Sequence, residues 1–237
     1  MKMELNLFKD KNEVAEKFCA YLENLITVRE AIYIALSGGS TPKIVFDRLA
    51  QNYSHLDWSN VHLFWGDERC VPPTHEDSNY KMTVDHLLSK IVIPKENIHR
   101  IKGEAPPAEE AETYGRLLEK VLPKHNGIPQ FDLVMLGMGS DGHTVSIFPN
   151  QIDLWSSEKW CEVADHPTNG QKRVTITGTV INHAREVAFL VTGSEKQEKV
   201  TEILQNKPNS KLYPAALVAP DYGRLSWFLD EAAAGGI

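Results

Sequence analysis

The chain has 237 residues, is 42% hydrophobic and 24% charged, and carries a formal net charge of −7. That length buries one substantial core, so a single α/β domain over residues 1–237 is expected, and the mixed acidic surface argues against nucleic acid or an anionic membrane as partner. No stretch approaches the ~18 apolar residues of a membrane span and Met1 to Leu5 has no signal-peptide character, so the expected location is the cytoplasm.

Glu4 to Phe8 alternates as a short strand. Asp10-x-x-Glu13 then reads as a capping box opening a helix whose Val14, Phe18, Leu22, Leu25 and Ile26 form one apolar stripe. Ile32 to Leu36 reads as a buried strand ending in Ser37-Gly38-Gly39-Ser40-Thr41-Pro42, with Thr41 expected as N-cap and Pro42 at the first helical position before Ile44, Val45, Phe46 and Leu49. Val61 to Trp65 makes a third strand, closed by Gly66-Asp67-Glu68-Arg69. A helical pattern then runs from Asn79 through Met82, Val84, Leu87 and Leu88 to Ile91, and Pro94 stops it.

Residues 105 to 109 form a loop into a helix carrying Tyr114, Leu117, Leu118 and Val121, which leads to the strand Phe131 to Leu136. Residues 150 to 185 are less regular, with Arg173 to Thr177 as the one clear strand. Val187 to Val191 is a further strand, and Ser194-x-x-Gln197 reads as the box of a helix carrying Val200, Ile203 and Leu204. This alternation predicts a doubly wound, mostly parallel sheet with helices on both faces, a Rossmann-like α/β fold.

Ligands of such folds sit outside the carboxyl ends of the strands, which draws attention to four loops: 37 to 42, 66 to 70, 137 to 143 and 193 to 196. In the first, Gly38 and Gly39 let the backbone approach a ligand while Ser40, Thr41 and a helix N-terminus offer an anion site; a plain capped turn is the alternative. Lys196 stands in the first turn of the last helix, the wrong charge for the macrodipole unless an anion lies near; a solvated lysine is the plain reading. Asp67 and Arg69 offer an electrostatic clamp, whereas Glu68 can serve either catalysis or an internal pair. His143 is the natural general base or acid, with Asp141 two residues earlier to orient it. The plain alternative is a glycine turn in which Asp141 caps locally and His143 packs.

Gly137-x-Gly139-x-x-Gly142 also spells a dinucleotide fingerprint, with Asp165 at about the distance of a ribose-binding acid, but Pro149 leaves room for only a turn or two of the helix that must open at its last glycine, which makes the match weak. No G-x-S-x-G elbow supports a covalent serine. Cys19, Cys70 and Cys161 are scattered and unpaired in spacing, which suggests no disulfides and a merely buried Cys70. Nine histidines form neither H-x-H nor H-E-x-x-H, so no metal is expected.

Taken in order, Leu36 to Pro42, Trp65 to Arg69 with Val71-Pro72-Pro73 and Asp77-Ser78-Asn79-Tyr80, Gly137 to Thr144, Arg173-Val174-Thr175, Gly193 to Lys196 and Trp227 to Asp230 closely resemble the 6-phosphogluconolactonase family over nearly the whole chain. The resemblance implies cofactor-free hydrolysis of 6-phospho-D-glucono-1,5-lactone in the oxidative pentose phosphate pathway, by a monomer or weak homo-oligomer. His143 falls on that family's catalytic histidine and Arg69 on an active-site arginine, with Asp67 and Asp141 beside them. Gly38 to Thr41, Asn79, Arg173 and Lys196 fall on substrate positions. Val145, Ile147, Asn150 and Cys70 are mild departures that bear on pocket shape. The related glucosamine-6-phosphate deaminases look different, with an Asp-Glu-Tyr in place of Asp67-Glu68-Arg69 and an acid where this chain has Phe148. A non-catalytic sugar-phosphate sensor of the same superfamily would need a fused DNA-binding segment.

Overall fold

The computed structural model describes residues 2–235 and 237. The first half of the chain forms β1 (Lys2–Phe8), α1 (Lys11–Val28), β2 (Ile32–Leu36), α2 (Ser40–Asn52), β3 (Val61–Trp65), β4 (Asp67–Arg69), α3 (Asn79–Thr83), β5 (Ile98–His99) and α4 (Pro107–Val121). A small hairpin follows, β6 (Lys124–His125) and β7 (Ile128–Pro129), and then β8 (Leu133–Leu136), β9 (Cys161–Asp165), β10 (Lys172–Ile176) and α5 (Gly178–Asn182). β11 (Glu186–Val191), α6 (Gln197–Leu204), β12 (Arg224–Asp230) and α7 (Glu231–Ala234) complete it.

Seven strands make one wholly parallel sheet in the order β1-β12-β11-β8-β2-β3-β5. β8 and β11 are buried along their full length, as continuous apolar runs must be when both faces of a sheet are covered. The two faces are visible in neighbouring residues of β12. Phe228 meets Phe18 of α1 edge-on at 5.2 Å, while Trp227 turns the other way and stacks on Phe189 at 4.1 Å. The doubly wound α/β reading therefore holds.

A separate antiparallel sheet, β4-β10-β9, stands beyond the carboxyl end of β3. Gly66 joins the two sheets: its N–H donates to the Leu36 carbonyl at 2.9 Å, while its own carbonyl accepts from Ile176 at 2.8 Å. β9 lies in the stretch that reads as irregular, and β12 carries no clear alternation because Ser226 and Asp230 are polar yet buried.

Local details differ from expectation in four places. Asp10 caps α1 through the N–H groups of Asn12 and Glu13, but Glu13 reaches back to Lys9, one residue earlier than a standard box. α2 opens at Ser40, so Thr41 is not its cap and Pro42 is its third residue; Gly39, at φ 113°, makes the turn that starts the helix early. The helix from Asn79 widens into a π turn over Val84–Leu88 and stops before Ile91, with Ser89 donating to the Val84 carbonyl. Ser194 makes no capping bond; a 3₁₀ turn over Ser194–Lys196 precedes α6, and the Asp230 carboxylate takes the Gly193 N–H instead.

Candidate active site

From β2 the chain crosses to β3 on one side, and from β8 it crosses to β11 on the other, so the adjacent pair β2 and β8 is where the winding reverses. A crevice opens beyond the carboxyl ends of such a pair. Here it is a cleft of about 270 Å³. Gly38, Gly39, Ser40, Thr41, Asp67, Arg69, Asn79, His143, Arg173 and Lys196 all line it, and Asp141 stands just behind His143.

The loop after β8 is built around the histidine. Asp141 Oδ1 accepts from His143 Nδ1 at 2.7 Å and from the His143 backbone N–H at 3.1 Å, and the Gly139 N–H donates to the His143 carbonyl at 2.9 Å. A Cβ on Gly139 would fall 2.1 Å from His143 Nδ1, so only glycine lets the ring lie over the loop. Burial pushes the Asp141 carboxyl up, but the two bonds from His143 outweigh it and hold the group at about 2. An ionised Asp141 can only accept, which fixes the Nδ1 proton and leaves Nε2 of the neutral ring unprotonated.

No helix opens at Gly142, so the dinucleotide reading fails on geometry. Instead Ile147 donates to the Thr144 carbonyl at 3.0 Å, closing a tight turn in which Val145 sits at φ 47°, an uncommon conformation for a β-branched residue. The turn sends Ser146 back under the cleft, where its hydroxyl donates to Asp67 Oδ2 at 2.5 Å. Phe148 packs beside His143, with ring centroids 4.7 Å apart.

β4 and β10 supply the positive charge. Their antiparallel register sets Arg69 opposite Arg173 and Asp67 opposite Thr175. Among the described residues neither arginine forms an ion pair with a carboxylate, and the Nε of each is buried without a partner. Burial, and next the adjacent Arg69 charge, pull the Arg173 guanidinium below its ordinary pKa. Lys196 likewise enters the cleft without an ion-pair partner among the described residues.

Glu68 is structural. Its carboxylate accepts from the N–H groups of Arg69, Asn79 and Tyr80, each at 2.8 Å, and from the Ser78 hydroxyl at 3.0 Å. It thereby fastens the start of α3 beneath the cleft, and burial raises its pKa despite those donors. Cys70 is half-buried, its thiol pushed up by burial to about 11, so it is a poor nucleophile. Among the described residues no group of three or more His, Cys, Asp or Glu is placed to hold a metal.

The remaining wall comes from α2 and the turn after β11. With no side-chain cap, the Ser40 and Thr41 N–H groups at the start of α2 stay open towards the cleft. Thr41 Oγ1 meets Thr192 Oγ1 at 2.8 Å, tying α2 to the end of β11. Gly38 has no room for a Cβ, which would lie 2.0 Å from the Asn79 amide, and Asn79 in turn donates to the Asp67 carbonyl at 3.0 Å. Thr192 as a cleft residue and Ser146 as a support carry no signal in the sequence. Val145 enters the sequence analysis only as a departure bearing on pocket shape and Glu195 only as a member of the 193 to 196 loop, and both line the cleft.

The family described as glucosamine-6-phosphate isomerases/6-phosphogluconolactonase matches residues 10–227. A 6-phosphogluconolactonase of Treponema pallidum is 42% identical over 202 residues, covering 85% of this chain and 84% of that one. One from Haemophilus influenzae is 39% identical over 224 residues, covering 94% and 93%. The solved structure of the 6-phosphogluconolactonase from Trypanosoma brucei superposes with a TM-score of 0.87 at 30% identity, covering 100% of this chain and 99% of that one. The chain belongs to the glucosamine-6-phosphate isomerase/6-phosphogluconolactonase family.

Proposed function

We propose that this chain is a hydrolase that opens 6-phospho-D-glucono-1,5-lactone to 6-phosphogluconate, without a cofactor, in the cytoplasm and as a monomer or weak homo-oligomer. The observation that carries the reading is one cleft holding both an Asp141-oriented imidazole and a pair of arginines that, among the described residues, form no ion pair.

His143 Nε2 takes a proton from water as its oxygen adds to the lactone carbonyl carbon. Arg69 stabilises the oxyanion that forms. Collapse of the tetrahedral centre breaks the bond to the ring oxygen, which receives the proton back from His143, and the new carboxylic acid then ionises. Arg173, Lys196, the 38 to 41 loop and Asn79 hold the phosphate end and its hydroxyl neighbours, so binding energy from a group that does not react supports the step at the carbonyl. Asp67, held from behind by Ser146, is the reserve base beside them.

A deaminase-type proton transfer needs an acid after the histidine, where this chain has the buried ring of Phe148 against His143. A non-catalytic sensor has no use for an imidazole with a free Nε2. The test is acid release from freshly generated 6-phosphogluconolactone, followed against the spontaneous rate and against unphosphorylated gluconolactone. Acceleration confined to the phosphorylated substrate is expected; equal rates on both, or none above background, would remove the reading.

A further inference from the structure

A guanidinium that is to receive an anionic substrate has to be aimed without being neutralised. Asp77 threatens that for Arg173, because its carboxylate is near enough to act on the Arg173 charge, yet the two do not pair. Between them lies Gln171, the last residue of the turn before β10. Arg173 Nη2 donates to Gln171 Oε1 at 3.2 Å, and Gln171 Nε2 donates to Asp77 Oδ2 at 3.1 Å. The amide orientation follows from its neighbours, since a guanidinium can only donate and a carboxylate can only accept. Asp77 meets the other arginine through its backbone carbonyl alone, which takes Arg69 Nη1 at 2.5 Å.

We propose that Gln171 is a positioning residue, a neutral spacer that aims Arg173 into the cleft while keeping the Asp77 carboxylate from neutralising it. The inference rests on the reading of Arg173 as a contact to the substrate phosphate. An acid at position 171 would fit the same space but would pair with Arg173 and face Asp77 with a like charge. Removing the amide would let Asp77 take the guanidinium for itself.

Steady-state kinetics on 6-phosphogluconolactone, with spontaneous hydrolysis subtracted, test this. Gln171→Ala should raise KM roughly three- to tenfold and Gln171→Glu more than about tenfold, with kcat moving less than about twofold in either. Adding Asp77→Asn to Gln171→Ala should bring KM back to within about twofold of the parent, because the carboxylate that the amide had held off Arg173 is then gone. A purely structural tether predicts the reverse, a deeper loss in the double variant. The proposal is overturned if both Gln171 variants keep their KM while Arg173→Ala raises it, or if Asp77→Asn fails to relieve Gln171→Ala. An unchanged KM in Arg173→Ala itself would overturn the phosphate contact and the spacer together, which separates the two failures.

Discussion

Arg69 and Arg173 lie directly opposite each other across the β4–β10 ladder, on the same face, and among the described residues no carboxylate pairs with either. Two like charges in adjacent cross-strand positions destabilise a sheet. The carboxylates of Asp67, Asp77 and Glu68 offset part of that repulsion at Arg173 without pairing with it, and an anionic substrate in the cleft would offset the rest.

Arg173→Ala and Lys196→Ala should therefore weaken capture more than turnover. Each removes a charge-assisted contact to a non-reacting group, a loss of about 1.5–3 kcal/mol in kcat/KM per contact, carried mainly by KM. Measured KM values unchanged in both variants would take these residues out of the site.

His143→Asn should lower kcat by roughly 10²–10⁴-fold while 6-phosphogluconate still binds, since the ring supplies the proton transfers and not the affinity. Asp141→Asn should fall in the same range, because an amide can donate to Nδ1 and drive the proton onto Nε2, abolishing the base. Asp141 itself stays ionised down to about pH 2, so the acid side of the kcat profile should show one ionisation and not two. A slope of two would overturn the permanent ionisation of Asp141, whereas near-normal kcat in His143→Asn would make the histidine structural and turn attention to Asp67.

What was legible in the sequence was what is local. Strand, glycine loop and helix N-terminus are punctuated within a few residues, so Ser37 to Thr41, Asp67 to Arg69 and Asp141 to His143 announced themselves as cleft loops, and the alternation gave the winding. The supports were not legible, because they join residues that only the topology brings together: Ser146 reaches Asp67 across 79 positions and Thr41 meets Thr192 across 151. Glu68 shows the same limit. Beside Asp67 and Arg69 it has the same standing in sequence, and only its four donors reveal it as a fastener. Thr41 is not the cap its place before Pro42 suggests, because the turn at Gly39 starts the helix two residues before the proline signal expects.

Glu68→Gln tests that assignment. The amide keeps one accepting oxygen and turns an NH₂ towards donors, leaving one or two buried N–H or O–H groups unsatisfied at about 1–3 kcal/mol each. Urea unfolding should show a lower midpoint, and because α3 carries Asn79 into the cleft, KM should rise with it. Unaltered stability with a collapsed kcat would instead put Glu68 in the chemistry.

The last prediction concerns acid stability at the far edge of the sheet, away from the cleft. His99 of β5 stacks on Phe64 at 4.3 Å and meets His62 Nδ1 through its Nε2 at 3.2 Å. Burial, and next the charge of His62, depress its pKa from 6.5 to about 4. Above about pH 6.5 neither the folded nor the unfolded chain protonates this ring, and it contributes nothing to the pH dependence. As pH falls below that value the unfolded chain takes up a proton that the folded chain refuses, so stability falls with falling pH until about 4, below which the loss is complete. His99→Phe keeps the stacked ring and removes the proton site. It should flatten the pH dependence of the urea midpoint between about 4 and 6.5 while leaving kcat/KM near neutrality unchanged. A variant with the parent's acid sensitivity would assign that loss to other groups, with His62, also depressed by burial, the next to replace.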